Sequence, residues 1–208
     1  MTKADNIEVP REEAWSPWSP DELYERIGSS DLIWAVVGGW ALDLWHGRQT
    51  RTHEDLEFTV LQKQADECRL LLAGLRFYNV RDGVLKYQSD EAPIESDIWQ
   101  LWGCDQDVWR VDMMIERGDE NTWVYKRDPS LRMPRLAAVK RNASGIPYLA
   151  PHLVLLFKAK HLRDKDQQDF DEALPKLTDR ERADLLNLVQ IHQPGHIWIN
   201  ALSSSLHC

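Results

Sequence analysis

Val36-Val37-Gly38-Gly39-Trp40-Ala41-Leu42-Asp43-Leu44-Trp45-His46-Gly47-Arg48-Gln49-Thr50-Arg51-Thr52-His53-Glu54-Asp55-Leu56-Glu57-Phe58-Thr59-Val60 reads as an apolar strand, a glycine pair, a short helix, a basic loop and a second strand bearing two carboxylates. Glycines let a backbone come close to a phosphate, and the N-terminus of the following helix turns its unbonded N–H groups toward an anion. Asp55 and Glu57 are two positions apart, so on a strand they share one face. Leu56, Phe58 and Val60 then fall on the other face, against a core. Two hard oxygen ligands on a rigid strand beside a phosphate cradle are what a magnesium–nucleotide site requires.

Outward from this stretch the pattern stays mixed. Residues 1–18 read as a loose arm. Ser19-Pro20-Asp21-Glu22 starts a helix: a serine cap, proline at the first position, glutamate at the third. Gly28 ends it. Residues 62–73 have helical spacing, with Cys68, Leu71 and Leu72 on the apolar side and Gly74 as the stop. Residues 75–127 read as β: strands at 76–80, 84–88, 98–102, 108–115 and 123–126, with turn signals such as Asp82-Gly83 between them. On the strand at 108–116, Trp109, Val111, Met113 and Ile115 take one face; Arg110, Asp112, Met114 and Glu116 take the other. The last third is helical, at 151–162, 165–174 and from a Thr178/Glu181 capping box to about 190.

Composition narrows the function. A chain of 208 residues fits one domain with an extension, or two small lobes. No apolar run reaches the roughly 18 residues that a membrane span needs. The polar start, Met1 to Pro10, does not read as a secretory signal. Cys68, Cys104 and Cys208 lie far apart and form neither a metal pair nor a disulfide framework, so a reduced cytoplasm is expected. The net charge of -9 argues against a nucleic-acid grip and favours attraction of a cationic small molecule. Ten tryptophans without a repeat period read mostly as core or interface residues.

The ordered composite of Gly38-Gly39, then Gly47-Arg48-Gln49-Thr50-Arg51-Thr52-His53, then Asp55-Leu56-Glu57 resembles the nucleotidyltransferase superfamily, and within it the aminoglycoside nucleotidyltransferases. The specific match covers about a tenth of the chain; a looser one runs on through Tyr148-Leu149-Ala150-Pro151, Lys158 and Lys165-Asp166 to Trp198. The resemblance implies an α/β (α+β) fold: a small mixed sheet with flanking helices at residues 1–130, then a helical C-terminal lobe at 131–208. It also implies transfer of AMP from ATP to a hydroxyl of a small molecule, with an aminoglycoside-like cationic acceptor. Two magnesium ions are expected, on Asp55, Glu57 and a third carboxylate. Asp112 is the candidate for that third group, as metal ligand or proton acceptor, with Glu116 the alternative on the same face. Gly38, Gly39, Arg48, Arg51, His53 and Lys158 are the expected nucleotide ligands. Arg48 could equally clamp its loop to Asp43 or Glu54, and Asp43 reads as a structural partner. Two departures bear on the acceptor: Glu57 stands where relatives often carry aspartate, and His152 stands where glutamate is expected. The alternative reading is an antitoxin-like enzyme that adenylylates a partner protein.

Overall fold

The structure, a computed structural model, describes residues 9–204. Helix α1 (Pro20–Ile27) opens on the expected capping box: the Ser19 hydroxyl accepts from the Glu22 N–H, and the Glu22 carboxylate accepts from the Ser19 N–H. Strand β1 (Trp34–Val36) is buried throughout and runs into α2 (Gly38–His46). Gly47, in the left-handed region at φ 72, closes that helix by donating its N–H to the Asp43 carbonyl. There follow β2 (Glu57–Leu61), α3 (Ala65–Leu71), β3 (Arg76–Arg81), β4 (Val84–Tyr87), β5 (Gln100–Asp105) and β6 (Val108–Glu116). The chain continues through β7 (Thr122–Val124), β8 (Arg132–Pro134), the single turn α4 (Arg135–Ala138), β9 (Val139–Arg141) and β10 (Pro147–Leu149). Helices α5 (Pro151–Lys158), α6 (Asp164–Ala173), α7 (Asp179–His192) and α8 (Trp198–Ser204) complete it.

Eight strands form one mixed sheet in the order β4-β3-β5-β6-β2-β1-β10-β9, while β7 and β8 pair separately. The sheet is therefore larger than the small one expected. The difference lies in β9 and β10, which follow residue 130 and return to pair with each other and beside β1. Each is three residues long, and β10 begins with a proline, so neither carries the alternation that marks a strand in sequence. The division expected at residue 130 thus falls between strands of a single sheet, and the helical segment begins at Pro151. One continuous core joins both parts: Phe58, Met113 and Leu149 belong to the same buried cluster as Leu155, Phe170 and Leu185.

The arm before α1 is not loose at its inner end. Trp109 donates its N–H to the Ala14 carbonyl, and Ser16 and Trp18 donate to the carbonyls of Trp109 and Arg110. Residues 14–18 thereby extend the sheet beside the start of β6, where β2 has not yet begun. Trp15 packs edge-on against Trp102, ring centroids 5.1 Å apart, and beside Trp109. That aromatic packing is tertiary and leaves no period in the sequence. Among the described residues, no helix is long and apolar enough to cross a membrane.

Candidate active site

Three parallel or antiparallel neighbours bring the acids together. β1 and β2 are antiparallel, β2 and β6 parallel, and the register sets Glu57 directly beside Asp112. Residues opposed on adjacent strands share a face. Asp55 lies just ahead of β2 rather than on it; its carbonyl accepts from the Trp40 indole at 3.1 Å, which fixes the approach to the strand. Glu116 pairs four positions further along, with Leu61, and is held by Arg135 through two hydrogen bonds of 3.0 and 2.5 Å. Register and ion pairing therefore single out Asp112, not Glu116, as the carboxylate beside Glu57.

The electrostatics of this pair are unusual. Burial, and then the charge of Asp55, push the Glu57 carboxyl up to about 7. Burial, and then the charge of Glu57, raise Asp112 well above the ordinary carboxylate range. Asp112 is 4 % exposed; its Oδ2 accepts from the Gln100 amide at 2.7 Å, and its Oδ1 is buried without a hydrogen-bond partner. Mutually repelling, underpaired carboxyl groups of this kind suit a divalent cation, which takes hard oxygen ligands and offsets their charge. Among the described residues no three acidic, histidine or cysteine side chains already stand in a ligand arrangement.

Gly38 is at φ 64, and any side chain there would run into the Glu57 carboxylate. Glycine is thus required twice, by conformation and by contact. Val37 gives α2 no side-chain cap, so the N–H groups of its first turn meet the cleft without one. Gly39 has a different reason to be small: a Cβ would meet the Arg51 guanidinium and the His53 ring.

The basic loop is largely taken up by the protein itself. His53 is buried, 2.5 Å from Asp43 through Nε2, with its ring against Trp40. Asp43 also accepts from the N–H and hydroxyl of Thr50. Burial works to raise the Asp43 carboxyl, yet these hydrogen bonds outweigh it and hold the group below its ordinary value. Arg51 makes a two-pronged contact with Asp169, at 2.9 and 3.0 Å, and Arg48 pairs with Glu172 at the surface. Lys158 sits 2.7 Å from Asp169 and 3.3 Å from Asp166.

A cavity of about 920 Å³ opens beside Glu57. Of the expected residues, Gly38, Glu57 and Lys158 line it; Asp55, Asp112, Arg48, Arg51, His53 and Gly39 do not. Lys160 also lines the cavity, and its other cations, Arg117, Lys126, Arg127, Arg132 and Arg163, were not singled out from the sequence. A signal existed in Lys126-Arg127, a basic pair at the end of a strand pattern, but only the fold turns it toward the acids. Burial lowers Lys126, opposed by the nearby charge of Asp112. Trp99 carries the Arg117 guanidinium 3.4 Å over its ring and Lys126 at 5.6 Å. The net negative charge is not concentrated here: Glu57 and the Arg135-paired Glu116 are the carboxylates of this cavity. His152 is buried and does not line the cavity.

A family model described as aminoglycoside-2''-adenylyltransferase matches residues 21–172, about three quarters of the chain. The chain belongs to this family. It is an adenylyltransferase of the nucleotidyltransferase superfamily. In fold it is similar to the solution structure of the antibiotic-resistance factor ANT(2'')-Ia, with a TM-score of 0.56 at 14% identity over 79% of this chain and 85% of that one. ANT(2'')-Ia in complex with adenylyl-2''-tobramycin gives 0.47 at 14% identity, over 90% and 92%. The lincomycin-bound lincosamide adenylyltransferase LnuA gives 0.48 at 16% identity, over 72% and 89%. No curated protein matches the chain.

Proposed function

We propose that this adenylyltransferase moves AMP from ATP to a hydroxyl of a small-molecule acceptor, of the aminoglycoside-like cationic class that its family suggests. The observation that carries the reading is the buried Glu57–Asp112 pair, with Glu57 lining a cleft ringed by lysine and arginine. Asp55, Glu57 and Asp112 would hold magnesium. Bound there, magnesium supplies charge neutralisation at the reacting phosphoryl oxygens. The residues do the rest. Lys126, Lys158 and Arg163 line the cleft where a triphosphate enters, and Gly38 lets its backbone approach. The acceptor oxygen attacks the α-phosphorus, the bond to pyrophosphate breaks, and the hydroxyl proton leaves toward Asp112 Oδ1. ATP as co-substrate and the unpaired, buried thiols of Cys68 and Cys104 support a cytoplasmic setting. The match to a family of small-molecule enzymes supports this reading over adenylylation of a partner protein.

The test is to incubate the protein with α-labelled ATP and magnesium against amino-sugar antibiotics, lincosamides and a cell extract. Label should enter an acceptor with release of pyrophosphate, and Asp55→Asn should abolish it while the protein stays folded. Transfer that persists in Asp55→Asn would remove the metal assignment. Labelling of a protein in the extract, with none of any small molecule, would favour the protein-directed alternative.

A further inference from the structure

Asp112 is a short side chain whose terminal torsion is broad, so burial alone does not fix where its two oxygens point. Its neighbours on β5 do. Trp102 is opposed to it in the register and Gln100 lies one strand pair along, opposite Met114, so both side chains share its face. Gln100 reaches diagonally to donate its Nε2–H to Oδ2 at 2.7 Å. Oδ2 accepts this bond, so the amide turns its NH₂ toward the carboxyl group. Trp102 is held by edge-on contacts with Trp15 and Trp109, at 5.1 and 5.3 Å, and its indole N–H is a second donor that favours the ionised Asp112 carboxylate. Gln100 ties Oδ2, while Oδ1 has no partner within hydrogen-bond distance.

We infer that Gln100 is a positioning residue: by tying Oδ2 of Asp112, it presents Oδ1 to the reacting groups. This rests on the adenylyl-transfer reading above. The residue carries no charge, lies outside the glycine and carboxylate motifs, and sits on a strand of its own. A loss of this hydrogen bond releases the carboxylate without emptying any part of the core, since Gln100 is half-buried. Catalytic groups displaced by about an ångström commonly lose one to two orders of magnitude in rate.

The experiment compares wild type with Gln100→Met, which keeps the length and loses the donor, and Gln100→His, which restores an N–H at similar reach. In Gln100→Met, kcat should fall about tenfold to a hundredfold, while the affinity for ATP by calorimetry stays within about twofold and Tm within a few degrees. Gln100→His should recover part of kcat. Unchanged kcat in Gln100→Met, or a matching loss of ATP affinity and Tm without rescue by histidine, would overturn the inference while leaving AMP transfer by the wild type intact. The hydrogen bond is also read without turnover. By NMR, the Gln100 side-chain amide protons should exchange slowly in wild type and fast in Asp112→Ala; fast exchange in wild type overturns the inference even if no acceptor is found.

Discussion

Glu57 is held where ionisation is costly, and the sign of that cost is measurable. Its carboxyl ordinarily titrates at 4.5 and in the folded protein at about 7, raised by burial and by Asp55. The folded state therefore binds the proton more tightly than the unfolded one. The stability that the proton confers is complete below pH 4.5 and is lost as pH rises through 7. Glu57→Gln keeps the shape and removes the titration. In chelator, the variant should match wild type near pH 5 and melt higher than wild type at pH 8. Magnesium should raise Tm of wild type at pH 8 and do little for the variant, which should also lose AMP transfer. Identical melting of the two proteins at pH 8, followed by differential scanning calorimetry, would refute a costly carboxylate. That Glu57 and Asp112 would share a sheet face was legible in the sequence from strand parity, whereas Asp55 lies ahead of β2. The engagement of His53 by Asp43 and of Arg51 by Asp169 was not legible, because each partner is set by tertiary packing and Asp169 lies 118 residues away.

Between elements, the loop that leads into β2 is stitched to α6. Arg48 pairs with Glu172, Lys165 with Glu54, and Arg51 with Asp169. Exposure decides which of these matters. The first two lie at the surface, where an ion pair contributes about 0–1 kcal/mol. Asp169 is 3% exposed and receives both Arg51 and Lys158, so its removal leaves the largely buried Arg51 without a carboxylate and Lys158 with Asp166 alone. Burial alone would raise the Asp169 carboxyl, but Arg51 and Lys158 outweigh it and hold it below its ordinary range. Asp169→Ala should therefore cost about 3 kcal/mol in urea unfolding, whereas Glu172→Ala should cost less than about 1. Equal, small losses would mean the buried network is dispensable. The same contrast explains what of the fold could be read in advance. Capped helices such as α1 and α7, and the alternating β6, carry their own local signals. The turn α4, the strands β9 and β10 and the terminal α8 are short and form because the sheet edge and the core receive them.

Across the whole molecule the charge is segregated in a way composition averages away. The chain carries -9 overall, yet Arg117, Lys126, Arg127, Arg132 and Lys160 line the cleft without a carboxylate ion pair among the described residues. An acidic exterior draws a cation toward the protein, while the cleft itself repels it. A triphosphate reverses the second effect, because it neutralises those cations and adds its own negative oxygens. Under the proposed function, a polycationic acceptor then meets a favourable site only after the nucleotide has bound. Calorimetry of an amino-sugar antibiotic with the protein alone should show weak binding, and a non-hydrolysable ATP analogue with magnesium should tighten it by about tenfold or more, equivalent to a coupling of about 1.4 kcal/mol. Reciprocity requires the antibiotic to tighten the analogue by the same factor. Both couplings should shrink as salt rises, since exposed charges are screened. Acceptor binding of equal strength with and without nucleotide would break the link between the cationic cleft and a cationic acceptor, and would point instead to an acceptor that carries no net positive charge.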